Sequence, residues 1–224
     1  MFFVKEIFPT MQGEGSKSGC PAVFLRFSGC NLWSGHEKTR TKAKGHCGLW
    51  CDTDFINGTK YSELDIITAL EDHVQTWKEK TLVITGGEPL LQLKKEKGIS
   101  LITKLFNLGW NICIETNGTI SNNVTDLLLS HSCGHITVSP KPLMTKESSF
   151  DHVKLRKGTD LKIIIPTYFD LEQLRSWSFD NFYLQPMDEH DGTIGNSNLQ
   201  EAYELCCKHG FILSVQTHKF VGME

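Results

Sequence analysis

The chain has 224 residues, of which 39% are hydrophobic and 22% charged, and its formal net charge is -3 at pH 7. This length and apolar content suffice for one domain with its own core and exclude an intrinsically disordered chain. The near balance of 23 basic and 26 acidic residues argues against direct binding to nucleic acid. Because no apolar run approaches the ~20 residues that span a bilayer, we expect a single cytoplasmic domain covering residues 1–224.

Short β-branched segments alternate with amphipathic stretches of helical period along most of the sequence. The predicted strands are 22–27, 81–85, 111–115, 135–139, 161–166, 182–185 and 211–216. The predicted helices are 62–78, 99–106, 124–129, 171–177 and 198–209. Each strand is apolar nearly throughout, which is typical of parallel strands buried on both faces. The alternation predicts an α/β fold.

The clearest predicted helix is 62–78. Ser62 stands at its start and is followed by acidic residues, which is typical of a helix N-terminus. Its apolar residues recur with helical spacing and predict a buried stripe of Leu64, Ile67, Leu70, Val74 and Trp77.

Glycine and polar residues collect directly after five of the predicted strands, at 28–30, 86–89, 116–118, 140–141 and 186–188. The carboxyl ends of parallel strands share one mouth of a closed or partly closed barrel, and active sites lie there. We therefore expect these clusters to line a common site, although 116–118 (TNG) also fits an ordinary turn.

Eight cysteines occur in the chain, and three of them, Cys30, Cys47 and Cys51, share one loop-like stretch. In a reducing compartment such clusters indicate metal or redox chemistry rather than disulfides. A closed zinc site needs four ligands, which His36 or His46 could complete. A cubane iron–sulfur cluster held by only three thiolates keeps one iron open. The spacing of sixteen and three intervening residues leaves both metals open.

The motif 86–89 (GGEP) ends the second predicted strand. Glycine lets a ligand approach the backbone closely, and the carboxylate of Glu88 can bind an amino group. The alternative is a tight turn with a capping glutamate, and the motif on its own favours that alternative.

Together with the cysteine loop, this motif resembles the radical S-adenosylmethionine superfamily. Within it, the chain is similar to the 7-carboxy-7-deazaguanine synthase family of queuosine and 7-deazapurine biosynthesis. The matching motifs are 5–8 (KEIF), 12–15 (QGEG), 21–24 (PAVF), 26–35 (RFSGCNLWSG), 51–55 (CDTDF), 85–90 (TGGEPL), 115–118 (ETNG), 138–141 (VSPK), 185–188 (QPMD) and 216–219 (QTHK). Both cysteine gaps are longer than is usual in the subgroup with an extended cluster loop, which a long surface loop accommodates at little cost.

The resemblance implies a modified partial TIM-type barrel of about six parallel strands, with reduced helices and a long cluster-binding loop at 28–55. It implies a carbon–nitrogen lyase that converts 6-carboxy-5,6,7,8-tetrahydropterin to 7-carboxy-7-deazaguanine with loss of ammonia. A 5′-deoxyadenosyl radical removes the hydrogen from C6, Mg²⁺ assists ring contraction, and no side chain serves as acid or base. A flavodoxin-like electron donor and a homodimer are also implied.

The resemblance assigns the site residues motif by motif. The cluster ligands are Cys30, Cys47 and Cys51, and the magnesium ligand is Thr53, unless 52–54 merely caps a turn. The implied S-adenosylmethionine contacts are Gly87, Glu88, Ser139, Pro140, Lys141, Gln185, Pro186, Met187 and Asp188. The implied substrate contacts are Met11, Gln12, Gly13, Glu14, Arg26, Thr85, His218 and Glu224.

Arg26 lies in an otherwise apolar strand, so its burial without an anion would cost several kcal/mol, on the order of the penalty for other buried ions. The substrate carboxylate is one partner, and an Asp or Glu of the chain is the alternative. Two other functions also stay open: a different radical S-adenosylmethionine reaction, such as glycyl-radical activation, and a zinc-stabilised binding module without catalysis.

Overall fold

The computed structural model describes residues 1–39, 47–49, 51, 53–144, 147–188 and 196–223. Within these ranges the strands are β1 (Phe2–Met11), β2 (Pro21–Phe27), β3 (Thr59–Tyr61), β4 (Lys80–Gly86), β5 (Trp110–Thr116), β6 (Gly134–Val138), β7 (Lys157–Ile165), β8 (Ser178–Pro186) and β9 (Ile212–Leu213). The helices are α1 (Glu63–His73), α2 (Lys95–Asn107), α3 (Asn123–Ser130), α4 (Leu171–Leu174), α5 (Asn196–His209) and α6 (Thr217–Phe220). One sheet contains all the described strands in the order β3-β1-β2-β4-β5-β6-β7-β8-β9.

The sheet is parallel over most of its width. Strands β2 and β4 to β9 run parallel to one another, whereas β1 pairs antiparallel with β2 and with β3. Each strand predicted from the sequence is present, which gives seven parallel strands where the resemblance implies about six. The described sheet ends at β3 and β9, and α4 is a single turn, so the predicted partial barrel with reduced helices is confirmed.

The two antiparallel strands at one edge, β1 and β3, are not predicted from the sequence. In β1, Phe2 and Val4 are buried while Phe3 is exposed, an alternation typical of a strand with one buried face. Lys5 and Glu6 interrupt this pattern, so the apolar run is too short to indicate a ten-residue strand.

The two faces of the parallel sheet differ in polarity. Alternate side chains of a strand point to opposite faces, and residues such as Ile114 and Ile163 belong to the main hydrophobic core. Their neighbours Glu115, Asp160 and Lys162 lie on the other, inner face. The prediction that the strands are buried on both faces is confirmed, since Asp160 and Lys162 are also buried. On the inner face, hydrogen bonds and ion pairs accompany a small apolar cluster of Ala22, Val83 and Cys113.

Helix α1 begins where the sequence predicts. The Asp65 amide donates to Ser62 Oγ at 3.1 Å, and the Ser62 amide donates to Asp65 Oδ2 at 2.7 Å, which closes a capping box. Ile66 and Leu70 face the core, but Leu64 is 71% exposed, so its predicted burial is wrong. Residue 64 lies about 200° around the helix axis from residue 66, on the opposite side.

Three elements are shorter than predicted. Helix α1 ends at His73, α4 ends at Leu174, and β9 contains only Ile212–Leu213. After β9 the Ser214 amide still donates to Leu184 O of β8 at 2.8 Å, and the following residues lead into α6. Within the described ranges, no helix combines the length and apolar character needed to cross a bilayer.

Candidate active site

A cavity of about 660 Å³ opens at the carboxyl ends of the parallel strands, where the sequence predicts that the polar clusters meet. The predicted site residues that line it are Met11, Gln12, Glu14, Arg26, Cys47, Cys51, Thr53, Thr85, Gly87, Ser139, Lys141, Gln185, Pro186, Met187, Asp188 and His218. Among the described residues, Gly13, Cys30, Glu88 and Pro140 do not line it. Glu224 lies outside the described residues.

The cysteine loop forms one wall of the cavity through its second and third cysteines. The Cys47 amide donates to Leu32 O at 3.1 Å, and the next amide, that of Gly48, donates to Pro142 O at 2.7 Å. Cys47 is thereby held between the segment that follows Cys30 and the segment that follows β6. Burial raises the pKa of the Cys30 thiol, and the Cys47 group acts in the same direction.

Cys47 and Cys51 line the cavity, and Cys30 lies behind this wall near Cys47. Cys30 and Cys47 interact electrostatically, and Lys141 interacts with both Cys47 and Cys51. In the part of the chain that the structure describes, no three Cys, His, Asp or Glu side chains approach closely enough to hold one metal ion. The thiols are therefore neighbours without standing at the distances of metal ligands.

Gly87 brings the end of β4 directly against the first cysteine. A Cβ atom at residue 87 would lie 2.6 Å from the Cβ of Cys30 and 2.5 Å from the carbonyl oxygen of Gly29. Real Cβ atoms do not approach so closely, so only glycine fits here. The Glu88 amide donates to the same Gly29 oxygen at 2.9 Å, which fixes the turn to the cysteine segment.

Glu88 is fully buried and does not face the cavity. Its carboxylate accepts hydrogen bonds from Thr116 Oγ1 at 2.8 Å, from the Asn117 amide at 2.8 Å and from the Leu90 amide at 3.0 Å. Burial raises its pKa to about 7, although these hydrogen bonds oppose the shift. The carboxylate thus caps a turn, the alternative left open by the motif, with donors from Leu90, Thr116 and Asn117. Its contact with S-adenosylmethionine stays a prediction.

A buried ion pair joins Glu14 to Lys162 on the inner face of β7. Gln185 Nε2 and Gln216 Nε2 also donate to Glu14 Oε1, at 3.0 and 2.8 Å. Burial opposes ionisation of Glu14, but the charge of Lys162 and these hydrogen bonds outweigh it and lower the Glu14 pKa to about 2. The Lys162 pKa is raised, because the charges of Glu14 and Glu115 outweigh its burial. The pair stays ionised at any physiological pH.

Glu115 provides a second carboxylate in the cavity wall. It accepts a hydrogen bond from Gln12 Nε2 at 3.0 Å and another from Thr85 Oγ1 at 3.2 Å. Both donors are residues that the resemblance assigns to the substrate. Gln12, Thr85 and Glu115 therefore form one hydrogen-bonded group.

Arg26 lines the cavity and pairs with Glu6, at 2.5 Å between Nε and Oε1. Its guanidinium also lies 5.8 Å from the centre of the Phe8 ring. The side chains of Arg26 and Glu6 are 18% and 34% exposed. The structure thus shows the alternative partner, a carboxylate of the chain, at a position open to solvent and to ligand.

None of the models of known protein families matches the chain. The chain is, however, 39% identical over 231 residues to the 7-carboxy-7-deazaguanine synthase of Caulobacter vibrioides, with 99% of each protein covered. It is 38% identical over 236 residues to the enzyme of that name from Burkholderia multivorans, again with 99% of each covered. The chain belongs to the 7-carboxy-7-deazaguanine synthase family.

Family membership confirms the resemblance found in the motifs and makes the chain an enzyme rather than a non-catalytic zinc-stabilised module. A solved structure agrees with the fold. The crystal structure of QueE from Escherichia coli superimposes with a TM-score of 0.65 at 24% sequence identity, covering 96% of this chain and 93% of that one.

The remaining residues implied by 7-carboxy-7-deazaguanine synthase membership meet at the same mouth. Lys141 Nζ donates to Ser139 Oγ at 2.7 Å, and burial lowers the Lys141 pKa. Asp188 pairs with Lys219 at 2.5 Å, on the far side of the opening. Burial likewise lowers the pKa of His218, which lines the cavity.

Thr53 lines the cavity near Asp54, whereas Asp52 lies outside the described residues. Asp54 Oδ2 accepts a hydrogen bond from Lys5 Nζ at 2.6 Å, and its Oδ1 accepts one from the Ile56 amide at 3.1 Å. Both oxygens of Asp54 are therefore engaged by the chain, and the magnesium role of Thr53 stays a prediction.

Several cavity residues outside the predicted set also carry charge or form hydrogen bonds, among them Glu6, Glu115, Lys162 and Gln216. A signal for two of them is present in the sequence. Glu115 and Lys162 are charged residues inside apolar strands, the same observation that singles out Arg26. Of the other cysteines, Cys113 and Cys206 are buried, Cys20 and Cys133 are partly exposed, and Cys207 is exposed on α5.

Proposed function

We propose that the chain converts 6-carboxy-5,6,7,8-tetrahydropterin to 7-carboxy-7-deazaguanine with loss of ammonia. One observation carries the proposal. A single cavity has thiols at one end and, on its other walls, Arg26, carboxylates that include Glu14 and Glu115, and amide groups. An arginine suits a ligand carboxylate, and carboxylates and amides suit the mixed donor and acceptor edge of a pterin.

The donor set fits the cofactors that the family implies, a [4Fe–4S] cluster, S-adenosylmethionine and Mg²⁺. Cys30, Cys47 and Cys51 would hold the cluster, which requires that the thiols lose their protons and approach one another. When bound, cluster and S-adenosylmethionine supply the 5′-deoxyadenosyl radical that takes the hydrogen from C6 of the pterin. Thr53 would supply a hydroxyl oxygen to Mg²⁺.

S-adenosylmethionine would lie between the cysteine loop and the ends of β6 and β8. The backbone of Gly87 would contact its methionine end, with Glu88 acting from behind as the cap that fixes the turn. The adenosyl part would contact Ser139, Pro140, Lys141, Gln185, Pro186, Met187 and Asp188.

The pterin would occupy the opposite part of the cavity. Arg26 would exchange its partner Glu6 for the substrate carboxylate, since both groups are partly exposed. Glu14 and Glu115 would accept hydrogen bonds from N–H groups of the pterin ring, because a carboxylate accepts but does not donate. Met11, Gly13 and His218, with Glu224, would complete the substrate contacts.

The Glu14–Lys162 ion pair keeps its protonation state and is not suited to proton transfer. Lys162 keeps its proton because its pKa is raised, and Glu14 stays ionised because its pKa is about 2. We therefore assign no side chain as general acid or base. The chain orients both ligands and excludes water, while the cofactor provides the reactive species.

Residues 1–224 would act as one domain with its cluster loop at 28–55. A flavodoxin-like electron donor and a homodimer are part of this proposal, and the cytoplasmic location stays a prediction from the sequence.

Anaerobic reconstitution and turnover test the proposal. With reductant and S-adenosylmethionine, the brown protein should consume 6-carboxy-5,6,7,8-tetrahydropterin and release 7-carboxy-7-deazaguanine, identified by mass. Its thiolate–iron absorption should lie near roughly 400 nm. Cleavage of S-adenosylmethionine with the pterin left unchanged would contradict the proposal and favour another radical reaction, such as glycyl-radical activation.

Cys51→Ala and Cys207→Ala form a matched pair for this experiment. Cys51→Ala should lose cluster absorption and all turnover while its circular dichroism stays that of the folded chain. Cys207→Ala, at an exposed helix position, should retain both. Normal iron content in Cys51→Ala would show that Cys51 is not a cluster ligand.

A further inference from the structure

The connection between β1 and β2, residues 12–20, crosses the inner face and contacts the opposite end of the sheet. We name this segment the strap. The Thr217 amide donates to Gly13 O at 3.0 Å, and the Gly15 amide donates to Ser214 Oγ at 3.1 Å. Ser18 Oγ lies 3.1 Å from Thr217 Oγ1. The strap therefore joins the β1 side of the sheet to the segment that follows β9.

Asp160, on β7, is the buried carboxylate that the strap contacts through Ser16. Its Oδ2 accepts hydrogen bonds from the Ser16 amide at 3.0 Å and from Ser16 Oγ at 2.8 Å. Asn181 Nδ2 donates to Oδ1 at 2.9 Å, and His135 Nε2 lies 3.2 Å from Oδ2. Only 1% of Asp160 is exposed, so its carboxylate bonds to these partners rather than to solvent.

Asp160 does not line the cavity, but the strap residues that it fixes lie next to residues that do. Ser16 is two positions from Glu14, which pairs with Lys162, two residues after Asp160 on the same face of β7. Gly15, between Glu14 and Ser16, has φ +62°, and a Cβ there would lie 2.9 Å from Asp160 Oδ2. Asp160 and Lys162, at successive inward-facing positions of β7, thus each bind a residue of the strap.

We propose that Asp160 is a positioning residue for the substrate part of the cavity. It acts through Ser16 to hold the strap, and with it the Gln12 and Glu14 side chains, at the distances that a ligand requires. The identity of that ligand as a carboxylated pterin rests on the proposed function. A carboxylate is needed at this position because its oxygens accept several donors at once, whereas an amide accepts through one oxygen only.

Asp160→Asn tests this role with two readouts. Amide hydrogen exchange of residues 12–20, measured without cofactors, should become faster, while exchange in the core of β7 stays unchanged. Loss of hydrogen bonds to a buried charge should raise the KM for 6-carboxy-5,6,7,8-tetrahydropterin by about tenfold, with kcat changed much less. Reductant-dependent cleavage of S-adenosylmethionine in the absence of pterin should keep its rate.

Asp180→Asn is the matched control, because residue 180 lies on an exposed position of the adjacent strand β8. It should change neither exchange nor KM. Ser16→Ala serves as the second variant if Asp160→Asn does not fold, since it removes one hydrogen bond and keeps the backbone contact. It should accelerate exchange of the strap and raise the KM by a smaller factor.

Unchanged exchange of the strap in both Asp160→Asn and Ser16→Ala would overturn the proposal. Equal losses in pterin turnover and in cofactor cleavage would also overturn it, because they indicate general damage to the fold. Failure of the wild-type chain to use the pterin would instead refute the proposed function, and the exchange result would still decide the role of Asp160.

Discussion

Glu14 and Glu88 are both buried carboxylates at the mouth of the same barrel, yet their pKa values are shifted in opposite directions. The pKa of Glu14 is lowered to about 2, whereas that of Glu88 is raised to about 7. Burial raises the pKa of each. The difference is that Glu14 contacts the ammonium group of Lys162, whereas Glu88 contacts only neutral donors.

This comparison shows that burial alone does not decide the charge of a carboxylate. Two or three neutral hydrogen bonds leave Glu88 close to half protonated at neutral pH, while one adjacent cation keeps Glu14 ionised. The Glu14 region therefore presents a fixed negative charge to a ligand. The Glu88 region instead provides a neutral cap that holds a glycine turn in place.

Removal of the cation should have the largest effect on this contrast. Lys162→Met should lower the free energy of unfolding by about 3–5 kcal/mol, because it leaves the Glu14 carboxylate buried without a counter-ion. Urea denaturation measures this. Lys157→Met is the control, since Lys157 lies on the same strand with its side chain 55% exposed. Equal losses in the two variants would contradict a special role of the Glu14–Lys162 pair.

The acid limb of the stability curve isolates Glu14 itself. Its pKa in the folded chain, about 2, is below the ordinary value of 4.5, so its contribution is present above pH 4.5 and is lost as the pH falls towards 2. At 1.36 kcal/mol per unit this amounts to about 3 kcal/mol. Glu14→Gln should therefore flatten this part of a urea-denaturation series against pH. A slope equal to that of the wild type would show that groups other than Glu14 cause the acid dependence of stability.

Glu88 should produce a dependence of the opposite sign, and only part of it falls near neutral pH. Because its pKa is raised from 4.5 to about 7, its contribution is full below pH 4.5 and is lost as the pH rises through 7. Between pH 6 and pH 8 the free energy of unfolding should fall by about 1 kcal/mol. Glu88→Gln should remove this decline, with the surface variant Glu79→Gln as the background. A decline that persists in Glu88→Gln would assign it to other groups.

The exposed pair of Arg26 and Glu6 should matter least for stability. Arg26→Ala should change the free energy of unfolding by less than about 1 kcal/mol, because partly exposed ion pairs contribute little. Its effect should fall on the affinity for the carboxytetrahydropterin, measured by turnover, with S-adenosylmethionine cleavage retained. Equal losses of pterin affinity and of cofactor cleavage would contradict its assignment to the substrate carboxylate.

The sequence predicts the outer face of the sheet better than the inner one. Apolar runs indicate strands wherever a helix covers them, and residues such as Ile114 and Ile163 behave as predicted. The charged residues Glu115 and Lys162 stand at alternate positions within the same runs, but their partners come from distant segments. Glu14, the partner of Lys162, is 148 positions away in the chain, so no local pattern reveals the pair.

The direction of Glu88 illustrates a second limit. The motif 86–89 is compatible both with a carboxylate facing a ligand and with one capping a turn, because the local backbone is the same in each case. The choice depends on Thr116 and Asn117, whose donors lie 28 and 29 positions further along the chain. The cysteine loop, by contrast, is recognisable from residue types as a candidate metal site, although its spacing alone does not distinguish zinc from an iron–sulfur cluster.

The contact between Gly13 and His218 has a consequence for synthesis of the chain. A Cβ atom at residue 13 would lie 1.9 Å from His218 Nδ1, and the Gly13 carbonyl accepts the amide of Thr217. The contacts that hold the segment with Gln12 and Glu14 therefore form only after residues about two hundred positions later have been synthesised. During translation the earlier strands can therefore pair before this side of the cavity is complete.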